Sequence, residues 1–532
     1  MLHLVGVISI GIEDHLSWLN AIRNFFLSSQ LDIVIKVAAR SLVCAVISTG
    51  IAGITFYCML RRRVPRRSIG VAVVIASSLL ANPICKAEGW NQMLIFLHNF
   101  ISTPIYGEFA VRVALISNLV PFGIALLFYG QSQSSIRNFH QYLKDDRAFV
   151  GRFLLIFIPM VFPSMMFSLA TNAAIAFGAS IEPSALGVSN ISIDRMITDL
   201  AGGQQFELVS AFACVVSAAL LVVALAISAS WKSRSRTGTA TSFRLRVIRC
   251  FSSLNNGFEI IFQKLRIKTE SRNQFASIAS ISVISAVTLY VLSPTFFLLA
   301  RALNVIDAGT TSIGNFSIFG FLSVVSEPRL LSGLSDTVCY SLLGGAFATV
   351  LAFSLGSLAW SSSKMRVAVI ACVVISILPS AASIRGWQAA KILLQSVESS
   401  CFFFLLSQIS YALPYSVACL WLANREIDVN KFSILKELGA SPSYVALVFL
   451  PRITWRALLG TFCVGFLLIS TEASRAQSLN PSPTKSVGLV IAGLIKSGGD
   501  GAERAYATGT LLWLFTITIV VAAGTVVRKR GS

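Results

Sequence analysis

The stretch from Asn430 to Pro451, NKFSILKELGASPSYVALVFLP, is a long polar insertion between two apolar spans. Ser433 to Leu438 has the pattern of a short amphipathic helix. Gly439 supplies the left-handed residue that ends it, and Ser441 with Pro442 caps and starts a second helix. Pro451 is expected to mark the place where the chain turns into the next apolar span, because a proline inside a helix removes a backbone donor and breaks or kinks the run. The segment therefore reads as helix, hinge and helix: a small knob protruding at a membrane face.

Working outward, the composition sets the class. Of the 532 residues 55% are hydrophobic and only 12% charged, and the mean hydropathy is +0.75. So much apolar surface has nowhere to hide except lipid, which excludes a water-soluble domain. Apolar spans fall near 41–59, 70–86, 111–130, 153–178, 207–230, 277–300, 337–360, 367–384, 401–423, 453–471 and 507–526. Each is expected to be helical, because an unpaired backbone group in hydrocarbon costs several kcal/mol. The fold class expected is an all-α polytopic membrane protein of about 11 to 12 transmembrane helices.

The net charge of +20 is arranged by side of the membrane rather than gathered into one nucleic-acid-binding face. Arg61, Arg62, Arg63, Arg66 and Arg67 follow the first span, and Arg137, Lys144, Arg147 and Arg152 follow the third. Ten Lys or Arg lie between Lys232 and Arg272, and Arg528, Lys529 and Arg530 close the sequence. Alternating spans put all of these, and the knob, on one face, while Glu182, Asp194, Asp199, Asp500 and Glu503 fall on the other. The basic segment 232–274 is expected to lie against anionic headgroups as a linker.

The sequence also repeats itself. Arg40-Ser41-Leu42 meets Tyr340-Ser341-Leu342 at an offset of 300, and Val71–Pro83 meets Val367–Pro379 at 296. Val120-Pro121-Phe122 meets Leu413-Pro414-Tyr415 at 293, and Pro159 meets Pro451 at 292. A slowly drifting offset is the trace of a duplicated module with small indels. Both copies run through the membrane in the same sense, so the repeat is parallel. The expected organisation is a first half, 1–231, the linker 232–274 and a second half, 275–532. Residues 131–159 would form a degenerate copy of the knob, with Arg147 in the place of the glycine.

With the knob and the repeat in view, the chain resembles the membrane-spanning permeases of binding-protein-dependent ABC importers. Their signature loop carries an acid, two small residues after it, a glycine six positions after the acid and a proline about a dozen residues beyond. Gly439, Ala440, Ser441 and Leu450-Pro451 match it, whereas Ser433 stands at the acidic position and Ile434 and Leu435 at the small pair. Two fused halves resemble the permeases of thiamine and iron(III) importers. Arg61-Arg62-Arg63 with Pro65, Gly89-Trp90 and Trp360-Ser361-Ser362 bring the thiamine side closer. The resemblance implies a bacterial cytoplasmic (inner) membrane location and movement of thiamine or its phosphates inward, with iron(III) as the alternative. It also implies a separate ATP-binding subunit, as a dimer, that grips Ser433, Ile434, Leu435, Gly439, Ala440, Ser441 and Pro451, and a periplasmic or lipid-anchored solute-binding protein. The chain has no phosphate-binding glycine-lysine loop, so it is expected to carry no ATPase site of its own, and no enzyme activity or cofactor is expected.

For the solute path, Glu472 is the acid at the outer end of the span after the knob, where a cation could meet it. The local match of Thr171-Asn172-Ala173 to Thr471-Glu472-Ala473 makes Asn172 its candidate counterpart. The ten cysteines lack paired metal spacing and read as small core residues. The four histidines are scattered, so no metal site is expected. The rival class, an ATPase-independent secondary transporter, usually needs ionisable groups within its spans, and here they are scarce.

Overall fold

The computed structural model describes residues 29–61, 83–101, 107–129, 157–177, 269–305, 316–361, 400–424, 444–470 and 487–529, with isolated positions between them. The described residues are almost wholly helical, and no strand occurs among them. The helices are α1 (Ser29–Arg61), α2 (Pro83–Ile101), α3 (Glu108–Tyr129), α4 (Ile158–Phe177), α5 (Thr269–Ala302) and α6 (Phe319–Ser326). They continue as α7 (Pro328–Ser361), α8 (Ser400–Asn424), α9 (Leu450–Ser470), α10 (Val487–Ser497) and α11 (Gly499–Lys529). Among the described residues four helices are long and apolar enough to cross a membrane: Leu31–Leu60, Glu108–Leu127, Ser277–Ala302 and Pro328–Ser357.

Eight of the eleven expected spans coincide with or lie inside these helices at least in part, while 207–230 and nearly all of 367–384 lie outside the described residues. Within the span expected at 70–86, Ile75 and Ser77 are helical, and only its end is corrected, because a separate helix begins at Pro83 and runs to Ile101. Proline at the first helical position loses no hydrogen bond, so the residue read as closing one apolar run starts the next helix. The helices α6 and α10 were not expected from hydropathy, being 8 and 11 residues long.

Packing gathers two three-helix groups. In one, α1 packs on α3 and α4, which also meet each other; in the other, α7 packs on α8 and α9, which meet in the same way. The first group is cemented by Phe56, Tyr57, Val120, Ile124 and Phe157, with Ile284 and Val291 of α5 closing the same core. In lipid the gain from this core is van der Waals packing of interlocking side chains rather than transfer out of water. A second core joins α2 to α1, α3 and α4 through Trp90, Leu94, Cys44 and Leu115. The Trp90 indole N–H, which would be costly to bury alone, donates to Ser117 Oγ at 2.8 Å. The other long outer helix, α11, packs on α5, α6 and α10.

Where α7 and α9 cross, small residues bring backbone against backbone. A Cβ on Gly345 would stand 2.9 Å from the Phe466 amide nitrogen and 3.2 Å from its Cα, and Gly465 lies against Gly345 in return. Lipid offers no hydrophobic drive for helices to associate, so close backbone approach of this kind is a main source of their cohesion. Gly50 of α1 is the opposite case, with nothing within 4 Å of a Cβ. Gly345→Ala should therefore lower thermal stability in detergent, by about 1 to 3 kcal/mol. Gly50→Ala should be neutral or up to about 1 kcal/mol stabilising through helix propensity. Equal melting temperatures for the two variants would contradict the crossing.

Candidate functional site

The knob enters the described structure at Gly439, which is exposed and has φ +78°. Nothing lies within 4 Å of a Cβ placed there, so backbone conformation alone asks for glycine. Two residues on, Ser441 caps the following helix. Its Oγ accepts the Tyr444 backbone N–H at 3.2 Å, and its carbonyl accepts that of Val445 at 3.1 Å. Hinge and cap thus have the conformations their residue types demand. Ser433, Ile434, Leu435 and Ala440 lie outside the described residues, as do the first-half loop up to Ile156 and Glu472.

Pro451 is a correction. The chain does not turn or break there: a π-helical turn, Val445–Phe449, runs directly into α9 with Pro451 as its second residue. The Leu450 amide bonds back to the Val445 carbonyl, five residues earlier. A proline ring clashes with the carbonyl four residues before it in an ordinary α-helix. Widening the preceding turn to five-residue bonding moves that carbonyl aside and lets the helix continue. Phe157, two residues before Pro159, is also in π conformation at the threshold of α4.

Asn172 sits in α4 with none of its surface exposed. Its Nδ2 donates to Ser48 Oγ at 3.1 Å and to Thr49 Oγ1 at 3.3 Å on α1, while Oδ1 finds no partner. Gly123 of α3 closes the group, since a Cβ there would meet Ala52, Ser168 Oγ and Asn172 Nδ2 at 3.0 to 3.4 Å. Asn172 thus ties α1 to α4 beneath α3. Its pairing with Glu472 does not keep register. Counting thirteen residues from Pro159 along an unbroken α4 reaches Asn172, and the same count from Pro451 along α9 reaches Val464, whereas Glu472 lies outside the described residues.

One buried charge escaped the sequence reasoning. Arg40, read there only as a repeat marker, is 1% exposed, and its Nη1 meets Glu108 Oε2 at 3.4 Å. Its Nε and Nη2 have no partner. Glu108 also pairs with the half-exposed Arg112 at 3.5 Å, one turn further along α3. The signal in the sequence is an arginine directly before the apolar run 41–59, and the helix extends that span back to Leu31, where an ionisable group calls for a partner. A second polar group joins α2, α5 and α11. There Tyr506 donates to Glu88 at 3.4 Å, Gln92 donates to Glu88 at 2.8 Å, and the Arg301 guanidinium lies 5.6 Å from the Tyr506 ring centre.

The cysteines that can be placed include Cys44 and Cys419, both buried with apolar neighbours. Phe403 and Phe404 are buried, with Phe404 edge-on to Tyr340, while Phe402 is half exposed. The chain matches no protein-family model and no curated protein sequence.

Asn172→Leu should remove the α1–α4 tie and destabilise the chain by about 0.6 to 2 kcal/mol. Asn172→Ala, which also leaves a void, should cost more. Unfolding in detergent measures both, and a Leu variant as stable as the parent would show the tie to be idle.

Proposed function

We propose that the chain is the fused, two-half permease subunit of an ABC importer, moving a small solute inward across the cytoplasmic membrane of a bacterium. The observation that carries the reading is a register match between the two three-helix groups. The bounds of α1 recur in α7 at a shift of about 300, those of α3 in α8 at about 293, and those of α4 in α9 at about 292. The faces recur as well: Leu42, Val43 and Ile47 are exposed on α1, and Leu342, Leu343 and Phe347 on α7. Ser41, Thr49 and Ala52 are buried, as are Ser341, Thr349 and Ala352. Apolar side chains turned outward at equivalent places suit a lipid boundary.

Proline lies inside both α3 and α8, at Pro121 and Pro414, and a π conformation precedes both α4 and α9. A same-sense pair of such units, each followed by a polar loop on the basic face, is the architecture that paired ATP-binding subunits can drive. In this mechanism those subunits seat the Asn430–Pro451 knob and its counterpart at 131–159. Their closure then rocks the two groups against each other. Gly439 lets the knob fold back at its hinge, and Ser441 holds the first turn of the helix that transmits the push into α9. A solute-binding protein presents the solute on the opposite face. Thiamine or its phosphates are the favoured cargo, with iron(III) as the alternative, and Glu472 is the acid placed to meet a cationic solute.

The rival reading, a carrier that needs no ATPase, draws on the buried Arg40 and its partly exposed partner Glu108 between α1 and α3. Affinity purification separates the two, since the permease reading expects an ATP-binding subunit to come with the chain and the carrier reading does not. With that subunit present, Gly439→Val forces a β-branched residue into left-handed backbone at a local cost of about 1 to 2 kcal/mol, which should cut ATP-driven uptake and its coupling to hydrolysis severely. Gly439→Asn, which tolerates that conformation, should stay close to the parent. A Val variant with full coupling would sink the docking role. Glu472→Gln should weaken uptake of a cationic solute, and unchanged affinity would remove Glu472 from the path.

A further inference from the structure

We propose that the solute's route lies along the seam between α3 and α8, where residues in equivalent places of the two groups meet their own counterparts and hold the route shut. The proposal rests on the permease reading above. The Phe122 and Tyr415 rings meet edge to face, with centres 6.2 Å apart and planes at 89°. One turn further along both helices, Leu126 and Cys419 are buried together in a small cluster, with Phe122 and Val464 against it. The offset of 293 that aligns Pro121 with Pro414 also carries Phe122 to Tyr415 and Leu126 to Cys419. Two related units touch through identical positions only where an axis of two-fold relation passes between them. In a same-sense pair that axis runs along the membrane normal. The route between the halves follows it.

Three further features make this seam one that opens. Its cluster is small and separate from the larger cores of the two groups. Each helix carries its proline directly before the contacting ring, at Pro121 and Pro414, which removes one rung of the backbone ladder and gives both a bending point at the same height. The buried pair lies toward the end of each helix that leads into a knob, where a push from that knob arrives first. The stripe continues one turn the other way through Asn118 and Tyr411, the latter edge to face with Tyr415 at 5.9 Å between ring centres. Rings, phenol hydroxyls and an amide, with no carboxylate or imidazole on the stripe, suit an organic solute with a flat face better than a hard metal ion, which prefers carboxylate oxygens.

The test uses the chain with its companion subunits in membranes, a protease site in the 232–274 linker, Cys419 as the sole native cysteine and Leu126→Cys. Copper phenanthroline should bridge the two thiols, so that the halves stay joined on a non-reducing gel after the linker is cut. Trapping with ATP and vanadate should lower the bridging yield several-fold, a readout that needs no knowledge of the solute. Bridging should reduce ATP-driven uptake of labelled thiamine by roughly tenfold or more, with recovery on reduction, as expected of a locked gate. No bridging in either state, a yield unmoved by vanadate, or full uptake by the bridged chain would overturn the gate while leaving the permease reading intact. Absence of any co-purifying ATPase would overturn that reading, and the gate with it. Tyr415→Ala should raise the half-saturating thiamine concentration more than Tyr415→Phe does. Equal affinities across parent, Ala and Phe would overturn the solute class alone.

Discussion

A peptide N–H or C=O in hydrocarbon has no partner outside the chain, and that single penalty of several kcal/mol per group leaves helices as the structure open to a sequence this apolar. Once every span is a helix, apolar side chains no longer drive the spans together, since lipid tails accommodate them equally well. What distinguishes one arrangement from another is where backbones can come close and where buried polar atoms find each other. Both devices are visible: Gly345 against Phe466 at the α7–α9 crossing, and Asn172 with Ser48 and Thr49 between α4 and α1. Each fixes a helix pair inside one three-helix group.

The contrast between those ties and the boundary between the groups bears on motion. Inside a group, α1, α3 and α4 share a continuous core that includes the Phe56, Tyr57 and Phe157 rings, the last two 5.2 Å apart. Between α3 and α8, among the described residues, the apolar contact is a ring pair and one buried aliphatic–thiol pair, with Val464 of α9 against it. Under load, two packed groups joined by a thin apolar contact yield at that contact first, because packed interiors resist continuous deformation and interfaces do not. The arrangement also gives Arg40 a meaning beyond an oddity. Its guanidinium links α1 to Glu108 at the start of α3, so the helix that borders the seam is fastened to its own group at the far end.

The sequence disclosed those features whose cause is local. Apolar runs of sufficient length gave the positions of α1, α3, α4, α5, α7, α8, α9 and α11 because hydropathy depends on nothing outside the run. The left-handed Gly439 and the Ser441 cap were legible for the same reason, each residue type having few alternatives in that pattern. Features set by neighbours were not legible. The α2 helix carries Lys86, Glu88 and Asn91, which mask it from a hydropathy reading, yet Glu88 accepts from Tyr506 of α11, 418 positions away. Pro451 was read as a break because the rule concerns an α-helix, and the chain met the rule by ceasing to be one for a single turn. The match of Asn172 to Glu472 rests on three letters, and Glu472 lies outside the described residues.

The widened turn at Val445–Phe449 carries a further implication for angular phase. Each residue of an α-helix advances the side chains by about 100° around the axis, so a turn that holds an extra residue resets the azimuth of everything beyond it. Tyr444 and the cap at Ser441 therefore face a compass direction that an unbroken extension of α9 would not give them. A torque applied at the tip reaches the span through that offset as rotation about its own axis as well as displacement along it. The five residues before Leu450 thus build a fixed lead angle between tip and span, at the place where one proline ring needs room.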